Sequence, residues 1–340
     1  MSIVKFSEVA HRAYTREDRF NTEKIYYVGG EHIDSCELYV TKKGVIKGST
    51  IGPMFYCGFT AGQILFVTRN PHLKKCSIAD FDGICSEKTF VIETKDESIL
   101  TQEYLAIIMQ SDDFWNYCEE NKSGGVNYFL NWSTLADYEF ELPPIKQQLE
   151  IAQKVMSAYR LKQSYKKLLD ATREMVKSQF IEMFAFQDLS LTNPSDDFAK
   201  KCYDDTSSAT KVPAGNYQNN GRYAIYDQSQ DCDIAGYTDS IEGVCNNYPA
   251  VLFGDHSRVI KYINQPFYIG ADGVKIIRPK GDDLLPEFLY YDLLYHNIPN
   301  TGYNRHFKYV KMLKLTEASI DEQEEFLKIA HQADKSEYYN

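Results

Sequence analysis

From Ile145 to Asn193 the chain contains neither glycine nor proline, and this stretch constrains the fold more than any other. Pro143-Pro144 stand just before it, where a ring-fixed φ suits a first helical turn. Apolar residues recur at helical spacing: Ile145, Leu149, Ala152, Met156 and Tyr159, then Leu161, Tyr165, Leu168, Met175, Val176, Phe180 and Met183. The stripe changes face near Tyr159–Leu161, as at a coiled-coil stutter. At 1.5 Å per residue, about forty residues make a rod of roughly 60 Å. Asn193-Pro194-Ser195-Asp196-Asp197 closes the segment with turn residues. The bland alternative is a core helix inside one large domain.

The flanks of this helix argue for two domains, because they repeat each other in order. Gly62-Gln63-Ile64-Leu65-Phe66 matches Pro249-Ala250-Val251-Leu252-Phe253, an apolar strand running into a polar loop: Val67-Thr68-Arg69-Asn70 in one copy, Gly254-Asp255-His256-Ser257 in the other. Phe81-Asp82-Gly83-Ile84 is matched with Ile269-Gly270-Ala271-Asp272-Gly273-Val274, ahead of the strands Thr89–Ile92 and Val274–Ile277. Helices over Gln102–Met109 and Pro286–Leu294 follow, then the loops Gly125-Val126-Asn127-Tyr128 and Gly302-Tyr303-Asn304-Arg305. Each copy then enters a helix, Ile145-Lys146-Gln147-Gln148 against Ile320-Asp321-Glu322-Gln323. A period of about 175 residues is too long for a solenoid and implies a duplicated domain, of α+β class because each copy mixes strands and helices.

The ordered set resembles the specificity (S) subunit of Type I restriction-modification systems. The resemblance rests on Glu141-Leu142-Pro143-Pro144-Ile145-Lys146-Gln147-Gln148-Leu149-Glu150-Ile151, on Ile225-Tyr226-Asp227-Gln228-Ser229, on Val251-Leu252-Phe253-Gly254-Asp255-His256, on Pro286-Glu287-Phe288-Leu289-Tyr290-Tyr291, and on the Thr301–Phe307 loop. It implies a target-recognition domain over residues 1–142, a spacer and docking helix over 143–185, and a second recognition domain over 186–316. A short C-terminal helix over 317–340 would pair with the central one in a coiled coil. It further implies a non-catalytic DNA-binding subunit that reads a bipartite duplex site and positions two methyltransferase subunits. A restriction/translocase subunit is a further partner of such a system. The chain itself would carry no cofactor, S-adenosylmethionine belonging to the partner methyltransferase. The C-terminal helix, Ile320 to about Tyr339, is roughly half the length usual in the family. That departure favours the alternative, a truncated or decoy subunit that binds methyltransferase without supporting activity.

Base edges are read by paired donors and acceptors, phosphates by Lys, Arg and hydroxyls, and both need exposed loops on a rigid frame. In the first copy the candidates are Lys42, Lys43, Arg69, Lys74, Lys75, Lys122, Asn127 and Tyr128. In the second they are Gln228, Ser229, Gln230, His256, Ser257, Arg258, Asn304, Arg305, His306 and Lys308. Asp255 and Asp272, both beside glycine, are assigned to turns. For partner docking the candidates are Ile145, Leu149, Met156, Tyr159, Tyr165, Leu168 and Phe180 on the helix.

Charge and motifs bound the alternatives. A net charge of −11 counts against a chain that grips DNA unaided. Yet between Ile145 and Phe184 eight Lys/Arg stand against four acids, a local basic surplus. The eight cysteines form no C-x-x-C pair, against zinc; no apolar run reaches membrane-spanning length; and Met1–Tyr14 does not read as a signal peptide. A cytoplasmic protein with reduced thiols is therefore expected. Glu93-Thr94-Lys95 has the E-x-K spacing of a metal-dependent nuclease strand, but the matching strand ends Arg278-Pro279-Lys280 without a carboxylate. No glycine-rich cofactor loop with an Asn/Asp-Pro-Pro-aromatic partner, G-x-S-x-G elbow, P-loop lysine motif or H-E-x-x-H pair is present.

Overall fold

The structure, a computed structural model, describes residues 2–186, 195–270 and 273–338, with side chains to 333; Asn193-Pro194, Ala271 and the turn expected at Asp272 lie outside them. The chain divides into two units, Met1–Tyr165 and Lys166–Asn340, and the helix Ile145–Phe184 begins in the first and ends in the second.

In the first unit the continuous apolar runs become doubly buried strands. Ile64–Val67 and Thr89–Thr94 are central in a four-stranded antiparallel sheet flanked by Ala10–Ala13 and Cys76–Ile78. Alternate side chains leave opposite faces. Ile64, Phe66, Phe90 and Ile92 therefore join a helical core with Phe114, Trp115 and Leu135, while Leu65, Val67 and Val91 join a core with Val28, Cys57, Phe59 and Cys85. The second core belongs to a five-stranded sheet in the order Thr15–Arg16, Phe55–Phe59, Gly83–Ser86, Tyr26–Val28, Gly44–Val45.

The second unit repeats this plan. Cys202–Asp204, Val274–Pro279, Ala250–Gly254 and Ile260–Ile263 form an antiparallel sheet with the same order. Its central strands divide in the same way: Val251, Phe253 and Ile277 face the helical core, Leu252, Val274 and Ile276 the other. Tyr223–Tyr226 runs parallel to Phe267–Gly270, as Tyr26–Val28 runs parallel to Gly83–Ser86.

Hydrogen bonds repeat residue for residue. Gln148 is buried; its Oε1 accepts from Thr101 N, and its Nε2 donates to Ile99 O and Pro143 O. Gln323, also buried, accepts from Leu285 N and donates to Asp283 O and Ala318 O. Lys95 N donates to Val9 O and its Nζ to Ser7 O; Lys280 N donates to Lys201 O and its Nζ to Ala199 O. The lysine of the E-x-K spacing thus ties a short helix to the sheet edge in both units, whereas Glu93 pairs with His11 and Gln63.

One sequence match is corrected. The partner of Gly83–Ser86 is Phe267–Gly270, upstream of the stretch around Gly273. The two glycines answer different needs: a Cβ on Gly83 would meet Tyr26 O and the Phe59 ring, whereas Gly273 sits at φ +70°.

The central helix changes face because it serves two cores. Ala152 and Met156 are buried in the first unit with Tyr159 packed beside them, and Val176 and Phe180 are buried in the second with Met183 beside them. A docking role for Met156 and Phe180 is thereby corrected, since both side chains already fill their own chain's cores. Leu149, Tyr165 and Leu168 are exposed and Ile145 is half-buried. The C-terminal helix, Ile320–Tyr338, places Phe326 against Phe180 (5.1 Å) and Phe184 (6.0 Å), so it meets the last turns of the central helix through an aromatic cluster.

Candidate nucleic-acid interface

In the second unit the loop after Ala250–Gly254 is built on a buried carboxylate. Asp255 N donates to Gly273 O, its Oδ1 accepts from Phe307 N at 2.7 Å, and its carbonyl accepts from His306 N at 2.8 Å. The turn assigned to Asp255 is in this sense a junction of two loops. His306 is wholly buried beneath it, Nδ1 at 2.9 Å from Asp255 O and Nε2 at 3.2 Å from Thr301 N. Its expected place on the DNA surface is corrected: the imidazole holds the Thr301–Phe307 loop closed, and a side chain without exposure cannot meet a base.

Above this junction His256 N donates to Gln228 Oε1, and the His256 ring lies parallel to Tyr303 at 4.7 Å. His256 Nδ1 is 3.2 Å from Asn304 O. Gln230 Nε2 donates to Ser257 O, and Ser229 N to Asp227 Oδ1. Three segments distant in sequence thus gather Gln228, Ser229, Gln230, His256, Ser257 and Asn304. Arg258, at φ +64°, turns its guanidinium to Ile298 O and is half-buried. Arg305 is exposed and makes no ion pair among the described residues; Lys308 is exposed with its ammonium over Tyr309.

The first unit assembles a comparable cluster with other side chains. Thr68 O accepts from Leu130 N, as Asp255 O accepts from His306 N, and Asn70 N donates to Tyr128 O. Arg69 is exposed with its guanidinium over Phe129, and Asn127 stands exposed in the facing loop. Lys122 pairs with Glu119 at 2.6 Å and lies over Tyr128. The remaining lysines have partners of their own. Lys42 pairs with Asp34, and with Thr41 it holds that carboxyl below its ordinary range. Lys43 covers Tyr26 and Phe81, Lys74 pairs with Asp112, and Lys75 donates to Gly30 O. Exposed pairs of this kind are worth little and can exchange a carboxylate for a phosphate.

Two side chains escaped the sequence analysis. Val126 and Tyr303 are each 90 % exposed at the tips of the glycine-asparagine loops. A search for charged and amide groups passes over them; the signal was a large apolar residue directly after glycine in an otherwise polar loop. Among the described residues no group of three or more His, Cys, Asp or Glu is placed to hold a metal ion.

No family model matches the chain. Over 97 residues it is 30 % identical to the Type I restriction enzyme EcoDI specificity subunit of Escherichia coli, a match covering 28 % of this chain and 21 % of that one. The chain therefore spans about a fifth of that curated relative. The crystal structure of a Type-I restriction-modification system S subunit from M. genitalium superimposes with a TM-score of 0.56 at 14 % identity, covering 98 % of this chain and 89 % of that one. The fold is that of a Type I S subunit. A further chain, solved in work on complex assembly and conformational transition of the type I R-M system, gives a TM-score of 0.46 at 18 % identity, over 98 % of this chain and 91 % of that one. The mixture of helix and strand, the long helix and the short C-terminal helix match the α+β sequence expectation.

Proposed function

We propose that this chain is the DNA-recognition subunit of a Type I restriction-modification complex, reading a bipartite duplex site and positioning methyltransferase and restriction subunits on it. The observation that carries the reading is the duplication. One framework, marked by Gln148 and Gln323 and by Lys95 and Lys280, occurs twice, and each copy presents a polar loop cluster with different side chains. A common scaffold with divergent tips is what reading two different half-sites demands, since the scaffold sets position and the tips set sequence. The S-subunit fold supports the same reading.

In this reading residues 1–142 and 186–316 are the two recognition domains, Arg69, Asn70, Asn127 and Tyr128 meet one half-site, and Gln228, Ser229, Gln230, His256, Ser257, Asn304 and Arg305 the other. The exposed helix residues Leu149, Tyr165 and Leu168 face the methyltransferase subunits. Chemistry and S-adenosylmethionine reside in those partners; this chain selects the sequence.

Co-expression with a modification subunit, followed by mapping of methylated positions, tests the proposal. Methylation at a two-part sequence is expected, with Arg69→Ala altering one part and Asn304→Ala or Arg305→Ala the other. Substitutions in both units that affect the same part would overturn it. Co-purification without methylation would mark a decoy subunit instead.

A further inference from the structure

Two cysteines of the first unit face each other across neighbouring strands. Cys57, on Phe55–Phe59, and Cys85, on Gly83–Ser86, are register partners in an antiparallel pair. Both are buried in the same apolar cluster and neither is in a disulfide. Across this register the Cys85 thiol and the Arg12 guanidinium both favour the Cys57 thiolate, opposed by burial and Glu87. We propose that Cys57 and Cys85 form a redox-active dithiol that hydroperoxides oxidise to a reversible cross-strand disulfide, with Cys57 as the attacking and Cys85 as the resolving sulfur.

The geometry meets the demands of the bond. Register partners in antiparallel strands have Cα atoms about 4.5–5.5 Å apart, inside the roughly 4.4–6.8 Å that a disulfide spans. Their Cβ atoms lie about 4.5–5.5 Å apart against about 3.5–4.5 Å in a disulfide, so closure draws the strands together by ~1 Å and at most ~2 Å. The register shift between Phe55 and Cys57 supplies slack at that point.

The chemistry singles out the same pair. The thiolate is the nucleophile. Cys57 is held below the ordinary thiol range, chiefly by the Cys85 thiol and also by Arg12, against the opposing effect of burial, while Cys85 is pushed well above it. Burial, with the nearby carboxylates Glu119 and Asp292 adding to it, pushes other thiols the other way, Cys118 and Cys202 up to about 12. Cys57 thiolate attacks one peroxide oxygen; the O–O bond breaks, the leaving oxygen takes a proton, and Cys57 becomes a sulfenic acid. The Cys85 sulfur then attacks the Cys57 sulfur, the S–O bond breaks, and hydroxide departs as water with the Cys85 proton. One hydroperoxide is reduced and two thiols are oxidised.

Hydrogen peroxide treatment of the full chain, followed by peptide mapping without reductant, tests the assignment. The expected result is a linked pair of peptides carrying Cys57 and Cys85, with the loss of two hydrogens, restored by dithiothreitol. Cys85→Ser keeps a donor and should trap Cys57 as a sulfenic acid that a dimedone-type probe captures. Cys85→Ala removes the donor and should slow that capture roughly tenfold or more. Oxidation confined to the exposed Cys36 and Cys232, with Cys57 and Cys85 still thiols, would overturn the proposal. Should either variant fail to fold, the wild-type peptide map decides alone.

Discussion

Gln148 and Gln323 show how one side chain can fix a module. Each is buried, and each satisfies one backbone N–H and two carbonyls where a helix N-terminus, a loop and a second helix meet. Alanine at either position strands those groups in an apolar setting, so we expect a loss of about 2–4 kcal/mol in the stability of the unit concerned, read from urea unfolding. Asp292 makes a different prediction. It is fully buried, accepts from Thr316 N and Oγ1, and its carboxyl is pushed up, mainly by burial, with His296 and Thr316 opposing. A carboxyl with a raised folded-state pKa favours folding most when protonated, so its contribution falls as pH rises past the ordinary Asp range near 4. Asp292→Asn should therefore lose stability relative to the parent less at pH 7 than at pH 4. Urea melts at both pH values check this; a constant difference would refute it.

Among the elements, the central helix was the most legible in sequence and the most revised by structure. Its span, 40 residues from Ile145 to Phe184, follows from a run without glycine or proline behind a Pro-Pro start. Which apolar residues would be free did not follow, because periodicity reports a face and not what covers it. Phe180 lies within 5.5 Å of the rings of Phe184, Phe186, Phe288, Tyr295 and Phe326. Phe180→Ala should accordingly cost the second unit about 3–5 kcal/mol. Leu168→Glu, at an exposed position, should leave unfolding unchanged and weaken co-purification with a methyltransferase subunit. The loops behave in the opposite way. Their existence was legible from glycine, asparagine and serine content, but His306, expected on the surface, is buried, while Tyr303, three residues before it and assigned no role, is exposed. Burial of one and exposure of the other are set by the Asp255 junction, which joins residues about fifty positions apart.

For the molecule as a whole, charge sets the expectation. At a net charge of −11, with several of its loop lysines already paired to carboxylates, the chain alone should bind duplex DNA no better than non-specific affinities of about 10⁻⁴–10⁻⁶ M at physiological salt. Addition of a methyltransferase subunit should tighten this by orders of magnitude and bring sequence preference, measured by fluorescence anisotropy at two salt concentrations. Tight, sequence-specific binding by the isolated chain would contradict the division of labour proposed above.

The sequence by itself determined the duplication, the α+β character of each copy and the length of the helix between them. All three rest on local rules, the periods of apolar residues and the placement of glycine and proline, which need no knowledge of distant contacts. Only the tertiary structure decided which polar side chains share a surface, which helix residues are already covered, and that Cys57 stands opposite Cys85. Those facts depend on strand register and on loop junctions between residues far apart in the chain, which composition and spacing do not encode.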